Sequence, residues 1–275
     1  MNLPDDFQFS ASCLQDFADC PRRFYLRYGL GLAWPPLVTE PAREREQHLL
    51  RGSAFHRMVQ QHLSGVPADC LEKFAQSGAL LPWWSSYLAA DMPSRLPGRR
   101  YVEFGCSIPF NGRRLFAKYD LIVVGEDDTL TIVDWKTSLK RPARENLLAQ
   151  LQTRVYRYLL TRVGAGLTAG APVAPEAIRM LYWFAEFPQD PETLPYDSAR
   201  FQADGEALER MADEILGRSR LEEFEETARA SSCKMCAYSS YCEKGGSPVD
   251  WSAQEDSGEP EDLQVDFGSI EEIAF

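Results

Sequence analysis

The sequence predicts an α/β fold in which a mixed central β-sheet is flanked by helices, with a helical N-terminal region and a C-terminal cysteine knuckle. Three observations point there. Residues 101–137 hold short β-branched and aromatic runs separated by turn signals, the pattern of a strand meander. The segments on either side carry apolar residues at helical spacing, and a later apolar run at 177–184 reads as a buried strand. Three of the seven cysteines fall within residues 233–242. At 275 residues and 44% hydrophobic, the chain can bury one sizeable core, so a single elaborated domain over residues 1–246 is expected, followed by an acidic tail over 247–275.

Ser10 and Ser12 offer polar caps to the first helix, and Pro21 can open a second short one, where its missing N–H is not needed. After a Pro-rich connection around 34–41, AREREQHLLRGSAFHRMVQQHL reads as a helix with Gly52 as a candidate break or close-packing point, and helical spacing continues to about residue 91. Strands are expected at YVEFGCSIPF (101–110), RRLFAKYDLIVV (113–124) and TLTIVDWKT (129–137), with turns at Asn111-Gly112 and from Gly125 to Asp128. ENLLAQLQTRVYRYLLTRV (145–163) returns to helix, and a further helix over about 203–219 leads into the knuckle.

No run approaches the roughly 18 to 20 apolar residues needed to span a bilayer, and MNLPDDFQFS lacks a basic stretch leading into an apolar one. A soluble, cytoplasmic protein is expected. Seven cysteines in such a chain favour metal ligation over a disulfide framework, because the cytosol keeps thiols reduced. The net charge of −12 argues against nucleic-acid binding only until it is located. Residues 247–275 hold nine acids and no Lys or Arg, whereas elsewhere 32 acids face 29 bases. Basic patches within that nearly balanced body can still track a phosphate backbone. The tail has too few large apolar groups to offset ordering entropy and is expected to be disordered.

Strand alternation places Asp134 and Lys136 on one face with Trp135 opposite, and the hairpin brings Asp120 beside them. Two carboxylates in one small volume suit Mg²⁺ or Mn²⁺, which prefer carboxylate oxygens, acidify water and neutralise charge on a phosphodiester. A lysine there can orient the water or stabilise the developing charge. An isolated D-x-K is ordinarily a solvated salt bridge, but both acids lie within apolar strands, KYDLIVV and TIVDWKT, where an unpaired charge is costly. Upstream, His56 stands one helical turn beyond Gly52; downstream, Gln152 and Tyr156 share a helix face. His48 and His62 are expected to be structural.

In that order, GSAFH, YDLIVV, IVDWKT and QTRVY resemble the RecB-type branch of the PD-(D/E)XK nucleases, over roughly residues 9–243. The resemblance implies a restriction-endonuclease-like core, metal binding by His56, Asp120 and Asp134 with the Trp135 carbonyl, and a catalytic Lys136. It implies that Gln152 and Tyr156 support the site and contact DNA, with Glu103 a weaker supporting candidate. One departure is Ala117-Lys118, where relatives often carry a glycine near the acid.

Cys233, Cys236 and Cys242 form C-x2-C-x5-C, three thiols close enough for one metal centre. Full cysteine ligation of a cubane cluster needs a fourth, and Cys20, in DCPRRFY, is the best candidate. Zinc is the alternative, although a zinc knuckle usually keeps its ligands local and no histidine lies near. Cys13, Cys70 and Cys106 are expected to be unrelated. The arrangement resembles the iron–sulfur subset of RecB-type nucleases, including the AddB nuclease domain and CRISPR-associated exonucleases, in which an early cysteine and a late C-x2-C-x5-C bind a [4Fe–4S] cluster. Such a cluster would tie the first helices to the end of the domain.

Together the resemblances imply a metal-dependent DNA exonuclease acting on single strands or DNA ends in repair, recombination or CRISPR-related processing, with a helicase or repair complex as a candidate partner. The alternative is a catalytically silent nuclease fold used for binding, against which the complete His, Asp, Asp, Lys set argues. Arg22, Arg23, Tyr25 and Arg27 read either as a stacking and phosphate-binding path or as a helix surface whose aromatics face the core. DLQVDFGSIEEIAF reads as a solubilising end, as an autoinhibitory occupant of the DNA channel, or as a protein-recognition peptide. The last resembles the acidic, phenylalanine-terminated tip of bacterial single-stranded DNA-binding proteins, with Ala274 where that tip usually has proline.

Overall fold

Helix formation begins where Ser10 can satisfy a backbone donor. After a two-residue strand β1 (Gln8–Phe9), helix α1 (Ala11–Asp19) starts at Ser10, whose Oγ accepts from the Cys13 amide at 3.2 Å while its own amide donates to Cys13 Sγ at 3.1 Å. Pro21 opens α2 (Pro21–Phe24) at its first position, and a π-helical turn follows at Tyr25–Gly29. Helix α3 (Glu40–Leu63) continues without interruption through Gly52, which is buried. Helices α4 (Ala68–Ser77), α5 (Leu81–Ala90) and α6 (Met92–Arg95) follow. The computed structural model describes residues 3–32, 40–77, 79–168, 170–227, 233 and 236–242. The expected tail disorder, with its recognition and autoinhibition readings, falls outside the described residues, as does most of the Pro-rich connection.

Strands β2 (Arg99–Phe110), β3 (Arg113–Val124) and β4 (Leu130–Lys136) form the expected antiparallel meander. The stretch expected as one helix is two, α7 (Arg144–Ala149) and α8 (Leu151–Val163), because Gln150 adopts an extended ψ of 135° between them. The Leu147 carbonyl at the end of α7 instead accepts the Thr153 hydroxyl at 2.5 Å. This helix pair carries the chain over to β5 (Ile178–Phe184), parallel to β4, and β6 (Glu192–Pro195) adds an antiparallel edge. Helix α9 (Ser198–Gly217) starts earlier than its apolar spacing suggests, because Asp197 caps it by accepting the Arg200 amide at 2.7 Å. Strands β1 and β6 are too short to show alternation in the sequence. No helix among the described residues is long and apolar enough to cross a membrane.

In the six-stranded sheet that the described residues form, β2 lines one edge of β3. The opposite edge is shared, with β1 pairing at Arg114–Leu115 and β4 at Leu121–Val124. After Val133, β4 leaves β3 and pairs with β5 alone, Asp134 lying opposite Tyr182 and Lys136 opposite Phe184. On one face, α1, α8 and α9 pack over Leu130, Ile132, Met180 and Tyr182. On the other, α3, α4 and α5 cover Val133, Trp135, Leu181 and Trp183.

The strand β3 changes sides along its length. Leu115, Ala117 and Tyr119 face the first core, whereas Leu121 and Val123 face the second. In β2 the same switch separates Val102 from Phe104 and Cys106, and between them Glu103 takes φ +52°, a conformation that breaks ordinary strand alternation. Asp120 therefore lies where the sheet changes sides, within reach of helices from both layers. At the start of β2, Gly98 has φ +143° and an added Cβ would collide with the Val124 carbonyl. Gly98→Ala is expected to cost about 1–3 kcal/mol, read as a Tm several degrees lower in thermal unfolding; an unchanged Tm would show that this strand entry relaxes freely.

Candidate active site

The separation of β4 from β3 creates the site. In an extended strand, a residue's N–H and C=O face the same edge. The Lys136 carbonyl accepts from the Ala185 amide at 2.8 Å on the β5 side, so Trp135 presents both of its backbone groups to the edge that β3 has left. Asp120 Oδ2 accepts the Trp135 N–H at 3.0 Å. The Trp135 indole lies in the second core, edge-on to Tyr87 and Trp183 at 5.5 and 5.8 Å. On the other side of Asp120, His56 Nδ1 from α3 stands 3.4 Å from Oδ1.

Asp134 and Lys136 share the face opposite Trp135, as alternation predicts, and both are buried. Lys136 Nζ is 3.0 Å from Asp134 Oδ2 and donates to Gln152 Oε1 at 2.9 Å. Gln152 Nε2 completes the ring by donating to Asp134 Oδ1 at 2.8 Å. Burial pushes the Asp134 carboxyl up to about 7; Lys136 opposes the rise and the Asp120 charge adds to it. Burial acts the same way on Asp120, but His56, the Trp135 amide and Lys136 outweigh it and hold that carboxyl below its usual range. Two neighbouring carboxyls with different proton affinities result, one charged and one poised near neutrality.

This donor set fits a hard divalent cation. Asp134 Oδ2 is buried and lacks a well-directed hydrogen bond among the described residues, and the Asp120 carboxylate and the His56 imidazole lie close enough to act on its charge. Among the described residues no three His, Cys, Asp or Glu side chains stand at metal-ligand spacing; in their present rotamers the Lys136 ammonium balances the charge of Asp134.

Of the other expected residues, some lie as expected and some do not. Tyr156 does not project toward solvent. It is buried, its ring 4.8 Å from that of Tyr119, whose hydroxyl donates to the Tyr156 carbonyl at 3.0 Å. Glu103 forms an ion pair with Lys118. His48 packs edge-on to Trp83 at 5.6 Å, and His62 Nδ1 meets the Tyr87 hydroxyl at 3.0 Å, both structural roles. Arg23 pairs with Asp16 and Asp19 at 2.8 Å each, Arg27 with Asp16 at 3.0 Å, and Tyr25 packs 5.0 Å from Phe224. These contacts match a helix surface facing the core.

Two residues that sequence reasoning missed lie under the site. Lys136 Nζ stands 5.8 Å from the centroid of the Tyr182 ring, and the Tyr182 hydroxyl meets Thr153 Oγ1 at 2.7 Å. Alternation in RMLYWF does put Tyr182 on one face with Met180 and Phe184, but only the register with β4 shows that Asp134 is its neighbour.

The cysteines converge elsewhere. Cys20, between α1 and α2, lines a pocket of about 20 Å³ together with Cys233, Cys236 and Cys242, beside Arg23 and Glu226. The chain leading into the knuckle is fastened to α2. Arg22 Nε donates to the Phe224 carbonyl at 2.8 Å, its amide donates to the Glu225 carbonyl at 3.3 Å, and Phe224 stacks on Phe24 at 6.4 Å. Tyr238 donates to the Leu32 carbonyl at 3.0 Å. Burial pushes the Cys236 thiol up, and burial with the Glu226 charge lifts Cys242 to about 11. Four thiols lining one pocket suit a thiophilic metal or cluster in donor chemistry; among the described residues they do not stand at metal-ligand spacing. The remaining cysteines are apart: Cys13 serves the α1 cap, Cys70 is exposed, and Cys106 is partly buried in β2.

Among solved structures, a crystal structure described as a "Putative exonuclease" from Eubacterium rectale is 13% identical, covers 90% of this chain and 91% of that chain, and has a TM-score of 0.55. The crystal structure of SSO0001 shows the same identity and coverage with a TM-score of 0.41. No curated protein matches the chain. Residues 8–243 match the family model of the PD-(D/E)XK nuclease superfamily, a span that includes the sheet, the Asp120–Asp134–Lys136 site and the knuckle cysteines. The chain belongs to the PD-(D/E)XK nuclease superfamily.

Proposed function

We propose that this nuclease is a metal-dependent DNA exonuclease that hydrolyses phosphodiesters of single strands or DNA ends. The observation that supports it most is the meeting of His56, Asp120, Asp134, Lys136 and Gln152 at the point where β4 leaves β3. His56, Asp120, Asp134 and the Trp135 carbonyl would hold Mg²⁺ or Mn²⁺, which when bound acidifies a water and neutralises phosphodiester charge. Asp120, already ionised, is aligned by the Trp135 amide. Lys136 offers an ammonium to the attacking water or to the oxygen on which charge develops. Gln152 holds Asp134 and Lys136 at once, so neither must find its geometry during the reaction.

The test is digestion of end-labelled single-stranded, double-stranded and circular DNA with Mg²⁺ or Mn²⁺, beside Asp134→Ala. Release of nucleotides from linear DNA with circles left intact is expected. Equal cutting of circles would overturn the exonuclease assignment, and no cation-dependent cleavage of any substrate would overturn the nuclease assignment.

A pH dependence follows from Asp134. Its folded pKa of about 7 lies above the ordinary 3.8, so between those values the folded state binds more protons than the unfolded one. This group's contribution to stability therefore falls as pH rises through that window. Cation binding requires the ionised carboxylate and so displaces protons below about pH 7. Mn²⁺ is expected to raise Tm more at pH 8 than at pH 6, and calorimetry at pH 6 in buffers of different ionisation enthalpy should show proton release. Equal Tm shifts with no proton release would contradict this account of Asp134.

We also propose that Cys20, Cys233, Cys236 and Cys242 hold a [4Fe–4S] cluster, with zinc as the alternative occupant. Their common pocket supports that reading.

A further inference from the structure

Tyr182 is fully buried and lies opposite Asp134 in the β4–β5 register. A threonine hydroxyl has a single hydrogen. Thr153 spends it on the Leu147 carbonyl at 2.5 Å, so in the 2.7 Å contact between Thr153 Oγ1 and the Tyr182 hydroxyl the phenol is the donor. Burial keeps that phenol protonated by raising its pKa. One end of Tyr182 is therefore fastened to the turn of α8 that also carries Gln152. The ring lies beneath Lys136 Nζ, 5.8 Å from its centroid, within the range over which the negative face of an aromatic ring attracts a cation.

The Lys136 ammonium also contacts Asp134 at 3.0 Å and Gln152 at 2.9 Å. A carboxylate shared with a divalent cation is a weaker partner for an ammonium, because the same oxygen charge is drawn to the metal. Gln152 and the Tyr182 ring keep their contacts with the lysine when that happens, and Thr153, next to Gln152 in α8, meets the Tyr182 hydroxyl. We propose, on the nuclease reading above, that Tyr182 is a positioning residue: its ring keeps the Lys136 ammonium at the reacting phosphodiester when Asp134 is committed to the cation.

The test compares single-turnover cleavage, KM for DNA and Mn²⁺ affinity in the full chain. Tyr182→Leu is expected to lower kcat about tenfold with KM and Mn²⁺ affinity unchanged, and Tyr182→Phe, which keeps the ring, is expected to restore most of the loss. Fluorinated phenylalanines at position 182 keep the ring's shape while draining its negative face, so folding is not at stake; kcat is expected to fall stepwise with the number of fluorines. A flat fluorination series overturns the proposal, as does a Phe variant as slow as the Leu variant, or a loss of kcat that tracks lost Mn²⁺ affinity. If the unaltered protein cleaves no DNA with either cation, the nuclease reading fails and not the placement of Lys136 by Tyr182, which the Lys136 Nζ resonance shift across the same fluorinated series then still reports.

Discussion

Lys136→Ala is expected to reduce DNA cleavage by about 10²–10³-fold or more while the fold and the cysteine pocket persist. The ammonium is buried and contacts Asp134, Gln152 and the Tyr182 ring, so its removal takes the positive charge out of the centre of those contacts. Asp134→Ala is expected to abolish cleavage as well, by a different route: it removes a carboxylate from the cation site and therefore weakens Mn²⁺ binding. The two variants separate only if pH is controlled. Lys136 opposes the upward shift of Asp134, so its removal leaves Asp134 protonated to still higher pH, and Mn²⁺ affinities should be compared well above pH 8. Under those conditions Lys136→Ala is expected to bind Mn²⁺ like the unaltered protein, whereas Asp134→Ala is not. Full cleavage by a folded Lys136→Ala variant would remove the lysine from the mechanism.

The second large effect concerns Cys20. Protein isolated anaerobically is expected to be brown, with iron and acid-labile sulfide, and Cys20→Ala or Cys236→Ala is expected to bleach it. Linking Cys20 to the knuckle closes a loop of about 200 residues, for which chain-entropy arguments give about 5 kcal/mol of stabilisation. The whole of the fold need not be lost with it. Arg22 would still bond the Phe224 and Glu225 carbonyls, and Phe24 would still stack on Phe224, so the helices α1 and α2 keep a non-metal attachment to the segment before the knuckle. Thermal unfolding followed beside visible absorption checks both halves, and stoichiometric zinc without iron in anaerobic material would defeat the cluster in favour of the zinc alternative.

Much of the site was legible in the sequence because it is written in strand period. Alternation puts Asp134 and Lys136 on one face and Trp135 on the other, and that is how β4 lies. The same reasoning was blind to Asp120's exact surroundings, since Glu103 at φ +52° changes which side β2 and β3 present, and no residue type in YVEFGC announces a left-handed position. Helical period likewise put Gln152 and Tyr156 on one face but could not tell that Tyr119 would turn Tyr156 into the core. Continuous apolar spacing across 145–163 concealed the break at Gln150.

Read alone, the residues established an α/β chain with a three-strand meander, helix starts at Ser10 and Pro21, an acid and lysine pair on one strand face, and a late thiol triplet. These are local properties: capping chemistry and the periods of helix and strand act over a few residues, so the sequence states them directly. The pairing of His56 with Asp120 and the gathering of Cys20 with Cys233, Cys236 and Cys242 were implied by family resemblance and are seen as contacts only in the folded chain, and the support of Lys136 by Tyr182 and Thr153 had no signal in the sequence at all. Each joins segments far apart in sequence, and which of them meet depends on strand register and on where β4 parts from β3, neither of which has a local signature.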